Sequence, residues 1–334
     1  RTTSLQISTH PSRFDRHHRR VLVVEPRLGR FYPQGFFQGV SGIFSEAVAP
    51  ARITGLTQER LDIDTNQPLA RFPLQVQLRL DRVLPGYDRR GGRCISPLDD
   101  LLRHPGLSAP LPNGQATDYG DDSSGLSRMD ERSDAAFYAR PRLINHMDVR
   151  ALEGVNTLYR RLIPARAVVL DLMASFDSHL QGLAPSELHV LGMNAEELAA
   201  NQATHHRVVQ DLNESPILPY ENNSMDAVVC TASIEYLVRP AEVLAETLRI
   251  LRPGGVFVTT FSNRWFPSKA IRIWSELHEY ERVGMVTQWL QQQNFVDLHT
   301  FSSRGWPRPA DDPHSDKTPY SDPVFAVWGS KADD

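Results

Sequence analysis

The sequence predicts an α/β fold, a doubly wound and mostly parallel sheet, preceded by a small β-rich domain. Three observations carry that expectation. Short apolar runs recur at 168–170, 189–191, 208–209, 225–230 and 256–261, each no longer than one strand and closed by polar or small residues. Helix-forming stretches, AEELAA (195–200) and PAEVLAETLRILR (240–252), fall between them, so strands and helices alternate and the crossovers are right-handed. The first run ends on Asp171, at the edge where open sheets of this class bind ligands.

In chain order, Val168, Val169 and Leu170 read as a strand buried on both faces, followed by the turn LMASFDSH (172–179). His189 to Leu191 is a second strand ending in Gly192, Met193 and Asn194, and Val208 and Val209 lead into Asp211 and Leu212. MDAVVC (225–230) is the next strand and runs into TASIEYL (231–237). The amphipathic helix from 240 opens on a proline and is expected to stop at Pro253-Gly254-Gly255, before the strand VFVTTF. FSNRWFPSKA (261–270) is expected as a loop leading into a helix over KAIRIWSEL, and VFAVWG (324–329) as an antiparallel last strand. Upstream, residues 136–164 read as one helix with Leu152, Val155, Leu158, Tyr159 and Leu162 on one face.

Asp171, the pair Asp211-Leu212 and LRPGG (251–255) resemble the motifs of class I S-adenosylmethionine-dependent methyltransferases over residues from about 137 to 331. The resemblance implies a Rossmann-like sheet and S-adenosylmethionine as cofactor. It also implies cofactor-binding roles for Asp171, Met173, Ser175, Phe176, Met193, Asn194, Asp211, Leu212 and Ser233. Two positions depart from the family pattern. The usual glycine-rich turn reads LMASFDSH, and the usual ribose-binding acid falls on Asn194. Glycines there let the backbone approach a ligand without a Cβ in the way; an amide accepts from one ribose hydroxyl and donates to the other, without charge assistance.

A second resemblance lies in residues 61–83, LDIDTNQPLARFPLQVQLRLDRV, which are similar to the closing portion of bacterial FKBP-type peptidyl-prolyl isomerases. Asp64, Asn66, Pro68, Leu69 and Ala70 match that pattern; Gln67 and Arg71 do not. Leu74, Val76, Leu78, Leu80 and Val83 alternate with polar residues as a half-buried strand does.

The chain of 334 residues accommodates two domains, and its 40% hydrophobic content is ordinary for globular proteins. The organisation expected is a flexible N-terminus (1–20), a β-rich partial FKBP-like domain (21–103), a linker (104–128) and a methyltransferase-like domain (129–331). VLVV (21–24), ARITGL (51–56) and LDIDTN (61–66) read as strands of the small domain, with Phe31, Tyr32, Phe36, Phe37 and Phe44 available for its core. A net charge of -4 argues against nucleic acid as the main partner. No apolar run approaches the roughly 18 residues of a membrane span. Two cysteines, Cys94 and Cys230, far apart in sequence, suggest no disulfide framework and a reducing setting, cytoplasmic or an organelle reached after loss of an Arg- and Ser-rich leader.

Methyl transfer from a sulfonium is an in-line displacement, so holding donor and acceptor in contact and dry supplies most of the rate. The acceptor expected is a small molecule. Glu235 and Tyr236 after the 225–230 strand, with His146 in the lead-in, are the catalytic candidates; Tyr138, Asn263, Arg264 and Trp265 are candidates for the acceptor site, Arg264 suiting an anionic group. Metal ligands are not expected, because His205 and His206 are neighbours and point to opposite faces of a strand. The competing readings are a non-catalytic cofactor-binding or structural protein and a folding factor led by the N-terminal domain.

Overall fold

The computed structural model describes residues 6–17, 23–67, 83, 117–119 and 125–333. These fall into two compact units, one of residues 6–67 with 83 and 117, the other of 118–119 and 125–333.

In the N-terminal unit, β1 (Gln6–Thr9), β2 (Phe31–Pro33), β3 (Pro50–Leu56) and β4 (Leu61–Asp64) form an antiparallel sheet in the order β1-β4-β3-β2. Residues 6–9, expected in a flexible terminus, pair instead with β4, because alternation puts Ile7 opposite Ile63 on one face. Ile53, Leu61, Ile63, Tyr32, Phe36 and Phe37 make the core. Phe44, expected to join it, is 74% exposed. Val23 and Val24 lie outside any strand, and residues 21–22 and 68–82, with most of the FKBP-like segment, lie outside the described residues.

The C-terminal unit is built on β5 (Val168–Leu172), β6 (Glu187–Gly192), β7 (His206–Val209), β8 (Met225–Thr231), β9 (Leu251–Phe261), β10 (Val296–Ser303) and β11 (Val324–Ser330). Their order is β7-β6-β5-β8-β9-β11-β10, with β5 to β9 parallel and β11 antiparallel to both neighbours. The period of two along each strand feeds two separate cores. Val169, Val190, Ala227, Val229 and Val258 face one side, beneath α2 (Val149–Leu162) and α3 (Ala195–Ala200). Leu170, Leu191, Val228, Cys230 and Phe257 face the other, beneath α4 (Pro240–Ile250) and α6 (Glu279–Gln292).

Three element boundaries differ from expectation. The helix over 136–164 is two helices, α1 (Asp134–Tyr138) and α2, because the chain reaches Pro141 and then Asp148, whose carboxylate caps α2 through Ala151 N at 3.0 Å. The Pro-Gly-Gly turn does not end α4, which stops at Ile250; it lies inside β9, where the pairing with β8 shifts register. KAIRIWSEL forms only the short α5 (Arg272–Glu276).

Candidate active site

The carboxyl ends of β5, β6, β7 and β8 open into one cavity, the switch point of the sheet. Asp171, near the end of β5, is 3% exposed. Burial pushes its acid up to about 7, against the pull of the Ser178 hydroxyl and the neighbouring His179. Ser178 is itself held by Asn201 Nδ2, donating at 2.8 Å. The next turn is folded as a glycine turn would be, without glycine. Met173 has φ 59°, and His179 and Ala232, also lining the cavity, have φ 55° and 49°. Such left-handed backbone costs a non-glycine residue about 1–2 kcal/mol. Ala174 N donates to Leu191 O at 2.7 Å, which brings Ala174 O so close that a Cβ on residue 192 would lie 2.2 Å from it. Gly192 is therefore required where the turn leans on β6.

Asn194 lies at the cavity wall, but its carboxamide is already used. Oδ1 accepts from Glu196 N and Glu197 N, at 2.9 and 3.1 Å, and caps α3; Nδ2 donates to Tyr138 O and Ala139 O, at 2.8 and 3.2 Å. The carboxylate on this wall is one turn further on. Glu197, 8% exposed, accepts from Arg142 N and from Ser175 Oγ, both at 2.7 Å. Ser175, which stands where the family has its glycine-rich turn, thus donates its hydroxyl to Glu197.

After β7, Asp211 Oδ1 accepts from Asn213 N at 2.9 Å, while Oδ2 is buried and has no hydrogen-bond partner. Asn213 ties three segments together. Its Nδ2 donates to Asp134 at 2.9 Å and Tyr236 O at 3.0 Å, and its Oδ1 accepts from Val238 N at 2.9 Å. After β8, Tyr236 lines the cavity and its hydroxyl accepts from Phe266 N at 2.9 Å. Tyr138, His146 and Phe266 also line the cavity, with the His146 and Phe266 ring centroids 5.1 Å apart. The Arg142 guanidinium sits over Phe137 at 4.6 Å and Phe266 at 5.4 Å; Nη2 donates to Phe137 O, and Nη1 is buried without a partner.

The segment that covers the cavity is anchored at both ends. Asp134 accepts two bonds from Arg128 Nη1, at 2.7 and 2.8 Å, and pairs with Lys269 Nζ at 3.0 Å; Lys269 is fully buried and also donates to Asp130 O and Arg132 O. Burial works against the ionised Asp134, but the bonds from Arg128, Asn213 and Lys269 outweigh it and hold the carboxyl below its usual range. At the other end Asp148 accepts from Ser321 Oγ and Asp322 N, and Arg308 Nη2 donates to Asp322 at 2.7 Å.

Of the residues singled out in the sequence, Asp171, Met173, Ser175, Phe176, Met193, Asn194, Asp211, Leu212, Ser233, Tyr236, His146 and Tyr138 all line this one cavity. Glu235, Asn263, Arg264 and Trp265 do not. Glu235 is fully buried and turned into the core. Asn263 is taken up by Arg282 and Glu279, Trp265 lies under the Arg282 guanidinium at 4.3 Å, and Arg264 donates to His146 O at 3.4 Å. Asp134, Arg142, Glu197, Asn213 and Phe266 also line the cavity, and no local sequence motif singles out any but Glu197. Glu197 had one available signal: it is the acid three residues after a cap residue, at the start of a helix.

Residues 167–259 match the methyltransferase domain family. The chain is also similar to the methyltransferase structure of the Haloferax volcanii complex with the activator Trm112, at 16% identity over 55% of this chain and 91% of that one, TM-score 0.41. A methyltransferase from Thermotoga maritima is similar at 13% identity over 54% and 89% of the two chains, TM-score 0.42, and one from Mesorhizobium loti at 15% over 53% and 99%, TM-score 0.38. No curated protein matches the sequence. Nothing in these comparisons supports the FKBP-type likeness of residues 61–83. On the family match and the strand order, the C-terminal unit carries a class I S-adenosylmethionine-dependent methyltransferase domain. Its methyl donor is S-adenosylmethionine. The cavity's lining fits that molecule, since Asp211 keeps a buried acceptor oxygen without a partner. Among the described residues no helix is long and apolar enough to cross a membrane.

Proposed function

We propose that the protein transfers the methyl group of S-adenosylmethionine to a small-molecule acceptor by in-line displacement. The observation that carries the reading is a single cavity lined both by the carboxylates Asp171, Glu197 and Asp211 and by the aromatic side chains Tyr138, His146, Tyr236 and Phe266. The bound cofactor supplies an electrophilic methyl on a sulfonium. In this chain Asp171 holds the ammonium of the methionine part, the free oxygen of Asp211 accepts from the adenine amino group, and Met193 and Leu212 pack on the ring. Glu197 accepts from the ribose hydroxyls, since the Asn194 amide is spent on α3 and on Tyr138 and Ala139. Tyr236 and His146 orient the acceptor. Desolvation and the Arg142 and Arg264 guanidiniums hold His146 below the usual imidazole range, so near neutral pH it can take a proton from an acceptor hydroxyl or ammonium.

Titration calorimetry with S-adenosylmethionine and S-adenosylhomocysteine is the first test. Saturable binding of both is expected, and absence of heat and of any thermal shift at millimolar ligand overturns the reading. A second reading, cofactor binding without transfer, is favoured by the side chains of Met173 and Phe176 in the turn, where a glycine turn leaves open space. Tight S-adenosylhomocysteine binding with no labelled methyl passed to any acceptor in a broad metabolite screen would select it.

A further inference from the structure

Three metal-ligating side chains meet far from the cavity, on the β6–β7 edge of the sheet. The parallel register of these strands sets His206 directly beside His189. Glu187 stands two residues before His189 and so faces the same way. His189 Nε2 lies 3.2 Å from Glu187 Oε2, and His206 Nε2 lies 3.9 Å from the same oxygen. The two imidazoles stack at 4.3 Å with 15° between their planes, and the three ligating atoms all lie within 4.8 Å of one another.

We infer that Glu187, His189 and His206 form a binding site for a divalent transition metal of the zinc class. Two imidazole nitrogens and one carboxylate oxygen are a borderline ligand set, suited to Zn2+, Ni2+ or Cu2+ and poorly suited to Ca2+ or Mg2+. Around a tetrahedral zinc with bonds of about 2.0–2.2 Å the ligand atoms stand roughly 3.3–3.5 Å apart, so the cluster needs to contract by about 1 Å. The side chains that must move are the exposed ones. Glu187 and His206 are 52% and 54% exposed, whereas His189 is 14% exposed and is held by the Tyr220 ring edge-on at 5.5 Å. Tilting the His206 ring out of the stack turns its lone pair toward the point that Glu187 and His189 already share, and water fills the remaining position.

The site sits at the beginning of β7, and Glu187 and His189 lie in the first half of β6. None of the three lines the cavity. Bound metal would therefore pin the start of an edge strand of four residues whose far end delivers Asp211 to the cofactor site. Neither the ligand geometry nor its test depends on the methyltransferase reading.

The experiment is calorimetric titration of the full chain, without a histidine tag and after chelator treatment, with ZnCl2. One saturable equivalent at this site is expected, lost in His206→Ala and in Glu187→Gln, two exposed positions. It should be retained in His205→Ala, which stands just before β7 and is not one of the three clustered ligands. Far-ultraviolet circular dichroism establishes that each variant is folded. Equal zinc uptake by the wild type, His206→Ala and Glu187→Gln, or no uptake by the wild type, overturns the inference.

Discussion

Asn194 donates to the carbonyl of Tyr138 at 2.8 Å, so the side chain at the expected ribose position binds the protein's own covering segment. An aspartate there would aim a carboxylate at two carbonyl oxygens, those of Tyr138 and Ala139. Asn194→Asp, which restores the family residue, should destabilise the fold by roughly 1–3 kcal/mol, the usual penalty for an unmade buried hydrogen bond. It should not tighten S-adenosylhomocysteine binding. Urea denaturation and calorimetry on the same samples check both, and tighter binding at unchanged stability would contradict the assignment.

Glu197 carries the complementary expectation. Glu197→Gln keeps the shape and loses the charge that strengthens a bond to a ribose hydroxyl, so S-adenosylhomocysteine affinity should drop about tenfold or more. Free adenine, which has no ribose, should bind the variant and the wild type alike. Equal losses for both ligands would show that the effect is not at the sugar.

Met173→Gly removes a side chain from a left-handed position at φ 59°. Relief of about 1–2 kcal/mol of strain is offset by lost Met packing and by the greater freedom of an unfolded glycine. Stability should change little while cofactor affinity rises, because the turn gains room. A drop in affinity, measured by calorimetry, would mean that Met173 itself contacts the ligand.

Glu235 gives a pH signature. Burial drives its acid from 4.5 up to about 8, with its own backbone N–H and Arg282 pulling the other way, and neither carboxyl oxygen finds a partner in another residue. The native state thus keeps a proton that the unfolded chain releases, and this group lowers stability as pH climbs from about 4.5 to about 8. Glu235→Gln should be more stable than the wild type at pH 8, by on the order of 3 kcal/mol, and no more stable at pH 4. Denaturant midpoints at the two pH values measure it; an advantage confined to low pH would be the wrong sign.

Lys269→Met strips the buried ammonium from Asp134 and from two backbone carbonyls. Breaking a buried pair from one side costs about 3–5 kcal/mol, so the thermal midpoint should fall sharply. An unchanged midpoint would mean that Arg128 and Asn213 alone secure Asp134.

The strand ends were legible because each carries a local signature: an apolar run closed by Asp171, by Gly192-Met193-Asn194, or by Asp211-Leu212. Their convergence then follows from the strand order. What the sequence hid was partnership over distance. Nothing local says that Asn194 is spent on Tyr138, that Glu197 meets Ser175, or that His189 falls beside His206 across two strands. β10 and α6 went unread because 279–303 mixes polar residues into its apolar pattern; β10 has no fully buried residue, and its partner β11 lies beyond a long polar loop. Asn263 and Trp265 looked available because a loop sequence does not show that Arg282 will claim both.

The two anchors at Asp134 and Asp148 bracket a stretch whose middle, Leu143 and Ile144, is more than half exposed. A flap pinned at both hinges can bow outward but cannot swing away. If the methyl donor of the proposed reaction enters past this stretch, the arch must flex while the two posts at Asp134 and Asp148 hold.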